Sequence, residues 1–331
     1  MTDLNLTPGI SYRDYVQDST LYTGATRPTG NVTLKVQVKN SSGGAYTDLV
    51  NDTVKNISTN RMREQLVADD INAIRFDLRM ESGDNSHAGF KDFFESQCLA
   101  FLGIDGKAYS IGPGYEFMSR PLSVKAEVTF LYTGSATFDF IVMSNSLTLN
   151  NKRVNHKYYV APILYDGSTN RVKSIVITIS LLNRPLDQFD FRISRLWVGN
   201  FMPICFASDW SITLDNPSKI NYSSGLDAHV VEQRRRRRGS FPIENIKQDD
   251  AMTSIDDISS GLSFTSFSDM QLQTGKDYPL IVSHRRERNE ASPTEIYPDP
   301  YALFGLMSKD MSIQHVSGPL YQTQIDVVEL I

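Results

Sequence analysis

A mainly β fold, with an antiparallel β-sandwich at its centre and β-rich α+β flanks, follows from three features of this chain. Apolar and polar residues alternate with period two in one segment after another, the signature of half-buried strands. Five or more such segments fall within about 80 residues after position 119 with no helix between them, which rules out βαβ units and requires antiparallel pairing. Finally, 17 Phe and 15 Tyr accompany many Thr and Val, side chains that pack well on a pleated surface. The 331 residues accommodate two or three domains. Pattern changes place the boundaries so that 1–118 forms a β-rich unit with one helix, 119–205 the sandwich, and 206–331 a second β-rich unit.

In the first segment, "NVTLKVQVKN" sets Val32, Leu34, Val36 and Val38 against Thr33, Lys35, Gln37 and Lys39, and "INAIRFDLRM" sets Ile74, Phe76, Leu78 and Met80 against Arg75, Asp77 and Arg79. Both read as strands. The polar stretch between them, "NSSGGAYTDLVNDTVKNISTN", reads as an exposed hairpin or long loop. "SHAGFKDFFESQCLAFLG" is the helix candidate: Ser86 caps it, Phe90, Phe93, Phe94 and Gln97 or Cys98 follow helical spacing, and Gly103 stops it.

In the central segment "LSVKAEVTFLY" alternates Val124, Ala126, Val128 and Phe130, and "TFDFIVMS" returns with Phe138, Phe140 and Val142 after the turn "TGSA", a hairpin. "KYYVAPILY" precedes the turn segment "DGSTN", whose Asp-Gly pair suits positive φ. "VKSIVITISLL" puts Ile175, Ile177, Ile179 and Leu181 on one face, and "FDFRISRLWVG" alternates Phe189, Phe191 and Ile193 against Asp190, Arg192 and Ser194. Burying two such apolar faces together makes a sandwich. The last segment is less regular. A short helix is expected near 268–275, capped by Ser268, burying Leu272 and ended by Gly275, and "YALFGLM", "MSIQHVS" and "YQTQIDVVELI" read as closing strands.

Motifs that carry chemistry are missing. The nucleophile elbow, the Walker loop, the paired zinc-ligand spacings and the calcium loop do not occur, and His87, His156, His229, His284 and His315 never fall at metal-ligand spacing. No cofactor is expected. "GIDGKAYSIGPG" is glycine-rich but lacks the strand-loop-helix setting of a phosphate cradle, so it reads as turns around a strand. Cys98 and Cys205, 107 positions apart, read as two buried thiols. No apolar run approaches the roughly 20 residues that cross a bilayer, and the opening "MTDLNLTPGISYRDY" has neither a basic nor an apolar leader region, so no signal peptide is expected. The sequons at Asn5, Asn31, Asn40, Asn51, Asn56 and Asn221 then read as turn-forming asparagines. A carboxylate pair for glycoside hydrolysis is defined by spatial separation, and nothing in the sequence singles one out. Trp197 and Trp210 are the candidates for stacking on a sugar ring, although Trp197, inside "ISRLWVG", reads better as core.

One stretch stands apart. "VEQRRRRRGSFPIEN" carries Arg234, Arg235, Arg236, Arg237 and Arg238 in a chain of net charge -5. A polyanion site, a processing site, a nuclear address and a plain strand all accommodate it. Aromatics for base stacking are not interleaved and the run is internal, so nucleic acid is not an expected partner. As a strand it would turn Arg234, Arg236 and Arg238 to one face and Arg235 and Arg237 to the other. Same-face neighbours about 7 Å apart in water repel by only roughly 0.6 kcal/mol, so a strand survives the charge. With arginine on both faces it should lie at a sheet edge, beside an acidic strand, or at a subunit interface.

From about residue 120 onward the order of "FDFRISRLWVGN", "SDWSITLDNPSKINYSSG", the arginine-bearing strand, "SFSDMQLQTGKDYPLIVS" and "LYQTQIDVVELI" resembles virion structural proteins of tailed bacteriophages, in particular tail-tip or baseplate-associated proteins with a jelly-roll domain similar to carbohydrate-binding modules. The resemblance implies a non-enzymatic tail component, made in the host cytoplasm and built into the virion as an oligomer with copies of itself and other tail proteins. It makes Arg234 to Arg238 subunit-interface candidates. The alternatives are a glycan-binding module for adsorption to the host surface and, behind it, a polysaccharide hydrolase or a capsid jelly roll.

Overall fold

The computed structural model describes residues 8–26, 28, 32–79, 96–109, 117–130, 134–143, 158–164, 172–184, 187–204, 206–215, 219–222, 228–231, 236–251, 266–283, 295–296, 298–299 and 301–330. The fold is mainly β, as expected, with antiparallel sheets and one sheet curled into a half-barrel. Across that ten-stranded sheet, numbered in chain order, run β12 (Tyr158–Leu164), β7 (Ser96–Leu102), β15 (Arg195–Pro203), β1 (Gly9–Asp14), β20 (Leu280–Ser283), β22 (Leu303–Met307), β24 (Leu320–Glu329), β19 (Arg236–Lys247) and β16 (Ser211–Asp215), while β23 (Gln314–Ser317) also pairs with β24. An eight-stranded sheet runs β2 (Thr20–Leu21), β3 (Thr33–Lys39), β6 (Ala73–Arg79), β13 (Val172–Leu181), β10 (Leu122–Phe130), β11 (Ser135–Val142) and β21 (Glu295–Ile296), with β4 (Thr47–Asp48) on β3. Four strands, β5 (Leu66–Ile71), β14 (Phe189–Ile193), β8 (Asp105–Tyr109) and β9 (Phe117–Ser119), form a third sheet, and β17 (Lys219–Tyr222) with β18 (Ala228–Val231) a small ribbon.

The sandwich forms where period-two alternation leaves one apolar face on each strand. Leu34, Val36 and Val38 of β3, Ile74, Phe76 and Leu78 of β6, Val124, Ala126 and Val128 of β10 and Ile175, Ile177 and Ile179 of β13 are all buried in one core. They meet Leu66, Ala68, Phe189, Phe191 and Ile193 of the four-stranded sheet, and Leu99, Phe101, Tyr159, Leu196 and Val198 of the half-barrel. Ring pairs cross the layers, Phe76 with Phe191 at 6.3 Å and Phe101 with Phe140 at 5.9 Å between centroids. Each fully buried large side chain of this kind contributes roughly 1.5–3 kcal/mol.

β7 and β15 of the half-barrel are buried on both sides. Inside it lie Cys98, Ala100, Leu102, Tyr158, Val160, Trp197, Phe201, Ile281 and Phe304. Ile10, Tyr12, Phe241, Ile243, Leu280, Val282, Leu303, Ile325 and Val327 pack in a third core with α1 (Gln248–Ala251) and α2 (Phe267–Thr274), through Ala251, Phe267 and Met270. Curling is required by one contact. β12 and β24 are six neighbours apart, about 29 Å in a flat sheet, yet the Tyr158 hydroxyl of β12 donates to Glu329 Oε1 of β24 at 2.9 Å.

The two helix expectations change. The helix candidate at 86–103 ends in a strand: residues 96–102 form β7, and residues 86–95 lie outside the described residues. Cys98, Leu99, Ala100, Phe101 and Leu102 are each at most 1% exposed. A strand buried on both faces is a continuous apolar run, and periodicity cannot tell such a run from a buried helix. The C-terminal helix begins at Phe267, so Ser266, not Ser268, precedes it, and the two hydroxyls meet at 2.8 Å. Gly275 does end it, with φ +48 and its N–H on the Gln271 carbonyl, the left-handed stop that glycine allows. The side chain of Leu272 lies outside the described residues. Strands from all three segments, 1–118, 119–205 and 206–331, pair with one another in the sheets. β13 pairs with β6 on one side and β10 on the other, and β1 lies between β15 and β20.

The stretch read as an exposed hairpin or long loop carries β4, which pairs antiparallel with β3, and a 3-10 turn, Val54–Ser58, that buries Ile57. Its sequon asparagines do turn work. Asn51 Oδ1 accepts from the N–H and hydroxyl of Thr53, and the Asn51 and Asn56 amides donate to the carbonyls of Val67 and Gln65. "FDFRISRLWVG", read as one element, is two strands in different sheets, β14 and β15. Cys98 is buried in the core inside the half-barrel, and Cys205 lies outside the described residues.

Candidate functional site

The arginine run opens β19. Arg236, Arg237 and Arg238 are in the strand, and Arg234 and Arg235 lie outside the described residues. β19 is the penultimate strand of the half-barrel. On one side it pairs with the edge strand β16, setting Arg236 opposite Asp215, Arg237 opposite Leu214 and Arg238 opposite Thr213. On the other it pairs with β24, which carries Asp326 and Glu329. The run therefore sits next to an edge and beside an acidic strand.

Strand alternation splits the run. Arg237 points inward, where its Nε donates to Glu329 Oε1 at 3.0 Å, its Nη2 donates to the same oxygen and to the Ala302 carbonyl at 2.9 Å, and its backbone N–H donates to Glu329 Oε2 at 3.0 Å. The Arg237 guanidinium also lies 5.5 Å from the Tyr158 ring centroid. Burial works against the charged form of Arg237, but the Glu329 carboxylate outweighs it and raises its pKa further. Burial, reinforced by Glu329, pushes the Tyr158 phenol far above its ordinary range, so it remains a donor. These three groups join β12, β24 and β19, the strands that the curl brings together. Arg236 is half-buried and Arg238 exposed.

The outward face of β19 and β24 is polar. Gln324 donates to Ser240 Oγ and to Asp326 Oδ1, both at 2.8 Å, Gln322 donates to Gln314 Oε1 at 3.1 Å, and Lys309 forms an ion pair with Asp326. Burial opposes ionisation of Asp326, but Lys309, Gln324 and Ser240 outweigh it and hold the carboxyl below its ordinary range. Beside this face a cleft of about 330 Å³ is lined by Glu244, Lys309, Asp310, Gln314, Gln322 and Gln324. The edge strand β16 has no partner on its far side among the described residues, and its Leu214 is 62% exposed.

Comparison with known proteins leaves the chain to its own residues. No protein-family model matches it and no curated protein matches it. Among solved structures, a chain from the work "Cell entry of botulinum neurotoxin type C is dependent upon interaction with two ganglioside molecules" aligns over 90% of this chain and 93% of its own at 8% identity and a TM-score of 0.22. A likeness at that level carries no argument about fold or function.

The two tryptophans part company. Trp197 is 0% exposed, donates its Nε1–H to Ser11 Oγ at 2.8 Å and meets Phe304 edge-on at 6.0 Å. It is a core residue, and no sugar reaches it. Trp210 is half-buried: it stacks on Phe241 at 6.4 Å with the planes 8° apart and meets Tyr301 edge-on at 5.7 Å. Phe241 covers one of its ring faces and belongs to the core opposite the polar face of Ser240 and Gln324.

A second interior ion pair was invisible to pattern reading. All five N–H groups of the fully buried Arg195 are used: Nε and Nη2 on Asp14 Oδ2, Nη2 also on Gln17 Oε1 at 2.8 Å, and Nη1 on the Thr59 carbonyl at 2.7 Å and Asn60 Oδ1 at 2.6 Å. Asp14 Oδ1 accepts from the N–H groups of Val16 and Val198. Burial pushes the Asp14 carboxyl up, and Arg195 and these N–H groups pull against it. With every guanidinium N–H and both Asp14 oxygens engaged, the pair ties β1, β15 and the end of the 3-10 turn together. Among the described residues no group of three or more His, Cys, Asp or Glu is placed to hold a metal, and no helix is long and apolar enough to cross a membrane.

Proposed function

We propose that this chain is a non-enzymatic structural component that works by assembly, as a self-associating part of a bacteriophage tail in the virion. The observation that carries the reading is the open margin of the half-barrel. Exposed sheet edges are normally blunted by charge, proline, a bulge or a covering segment. β16 has no partner on its far side among the described residues and carries an exposed Leu214 on the same face as Arg237, while Arg236 and Arg238 face the other way on the adjacent strand. A second copy would pair the free backbone and cover Leu214, while the outward arginines find acceptors across the interface. One strand is smaller than the roughly 800 Å² per partner of a stable contact, so surfaces flanking β16 take part. Light scattering on the purified chain should show an oligomer that Leu214→Asp reduces to monomer without lowering the melting temperature. A monomer at every concentration would remove self-assembly, and quantitative proteomics of purified virions that fails to find the chain would remove the tail.

Glycan binding at a host surface is the second reading, favoured by the polar face beside the cleft at Gln322 and Gln324. Planar amides, a carboxylate and a hydroxyl side by side suit the donors and acceptors of sugar hydroxyls. Trp210 is on the opposite side of the sheet and plays no part in it. A glycan array and host-cell binding, both blank, would end this reading.

A further inference from the structure

A separate cleft of about 340 Å³ opens where the eight-stranded sheet meets the four-stranded one, lined by Ala108, Arg120, Pro121, Leu181, Leu182 and Arg184. The backbone holds it firmly. Arg120 N–H donates to the Gly106 carbonyl at 2.8 Å and Leu182 N–H to the Pro121 carbonyl at 3.1 Å. Asn183, at φ +59, then turns the chain so that Arg184 returns over the same cleft. Most of the lining is apolar, yet two arginines and Asn183 complete it. Arg120 Nε is buried and has no hydrogen-bond partner among the described residues. The only carboxylate described against Arg184 is Asp187, 3.7 Å away with both side chains well exposed, a separation too long for a hydrogen bond and an ion pair of little strength.

A buried donor on a charged group without an acceptor is costly, and native structures rarely leave one so. Its natural complement is an oxyanion, because the planar fork of arginine matches carboxylate and phosphate geometry. The apolar walls of Pro121, Leu181 and Leu182 would strengthen that attraction by excluding water. We infer that this cleft is an oxyanion-binding site, with Arg120 as the principal ligand and Arg184 as the second cation, for a carboxylate or phosphate on a compact, partly apolar body. The site lies on a different sheet from β16, so it stands or falls independently of the proposed assembly.

The test is calorimetric titration of the full chain, at constant ionic strength, with inorganic phosphate, sodium glucuronate and cyclohexanecarboxylate, using glucose and cyclohexanol as neutral counterparts. At least one anion should bind saturably and neither neutral compound should. Preference for phosphate identifies a free oxyanion as the source, for glucuronate an acidic sugar, and for cyclohexanecarboxylate an apolar acid. Arg120→Gln should weaken binding by about tenfold or more, and Arg120→Lys, which keeps the charge without the fork, should restore only part of it. In the wild-type chain, saturating anion should also protect Arg120 from phenylglyoxal, read by mass spectrometry, so the result does not hang on a variant that folds. Absence of saturable binding by all three anions, unchanged affinity in a folded Arg120→Gln chain, or unprotected Arg120 would each overturn the site.

Discussion

Replacing Glu329 by glutamine isolates the electrostatic role of the buried end of the arginine run. The shape of the side chain is kept and one charge is lost. The Arg237 side chain, only 16% exposed, then loses the charge of Glu329, itself 2% exposed, while keeping the Ala302 carbonyl as an acceptor. Breaking a buried pair from one side costs about 3–5 kcal/mol, because an uncompensated charge is left behind. That is a large share of the 5–15 kcal/mol typical of a folded domain. With an unfolding entropy of about 2.1 cal/mol/K per residue over the whole chain, the same loss lowers the melting temperature by about 4–7 °C. Differential scanning calorimetry of wild type, Glu329→Gln, Arg237→Met and the double variant Arg237→Met/Glu329→Met would measure it. The double variant should recover most of the loss, since apolar replacement of both partners of a buried pair is often neutral or better. A loss in Glu329→Gln below about 1 kcal/mol, the range of an exposed pair, would refute the reasoning, as would a double variant no better than the sum of the two singles.

The outward arginines should behave differently. Arg236→Ser/Arg238→Ser should reduce oligomer formation in light scattering and leave the melting temperature within about 1 °C, as surface substitutions usually do. Gly305→Ala should destabilise by about 1–3 kcal/mol in urea unfolding, because a β-carbon there would run into the Val328 carbonyl oxygen of the paired strand β24. In acid, Asp326 has a folded-state pKa below its ordinary value of 3.8, so the unfolded chain binds its proton first and stability falls with pH in that window. Its contribution is complete above 3.8 and is lost as pH falls through the lower folded value, so Asp326→Asn should flatten this limb in a pH series of melts. Trp197→Phe should lower the melting temperature without changing glycan binding, since its indole N–H serves Ser11 inside the core.

Most of the strands could be read because their environment is one-sided. β3, β6, β10 and β13 each bury an alternating apolar set and leave most of the residues between only partly buried, so local sequence carries the information that fixes their facing. β7 and β15 are covered from both sides by different cores, and their apolar runs report burial without reporting period. The sheet order was out of reach for a related reason. Which strand neighbours β1 depends on partners about 190 and 270 positions away, Phe201 and Ile281 opposite Ser11, and nothing in the hexapeptide "GISYRD" encodes that distance.

The same limit explains what could and could not be inferred about the charged residues. A run of five arginines is conspicuous, and alternation alone divides it into two faces. It does not say which face is inward or what waits there. Glu329 and Tyr158, 92 and 79 positions from Arg237, become its partners only because a wide sheet curls until its sixth neighbour comes within hydrogen-bonding distance. Arg195 and Asp14 form an equally buried pair from two unremarkable positions, with no run to mark them. Buried charge is thus a property of the closed sheet as a whole, and local patterns register it only by chance. Arg236 and Arg238, on the face away from Glu329 and beside the edge strand β16, are therefore the part of the run that the proposed assembly would use.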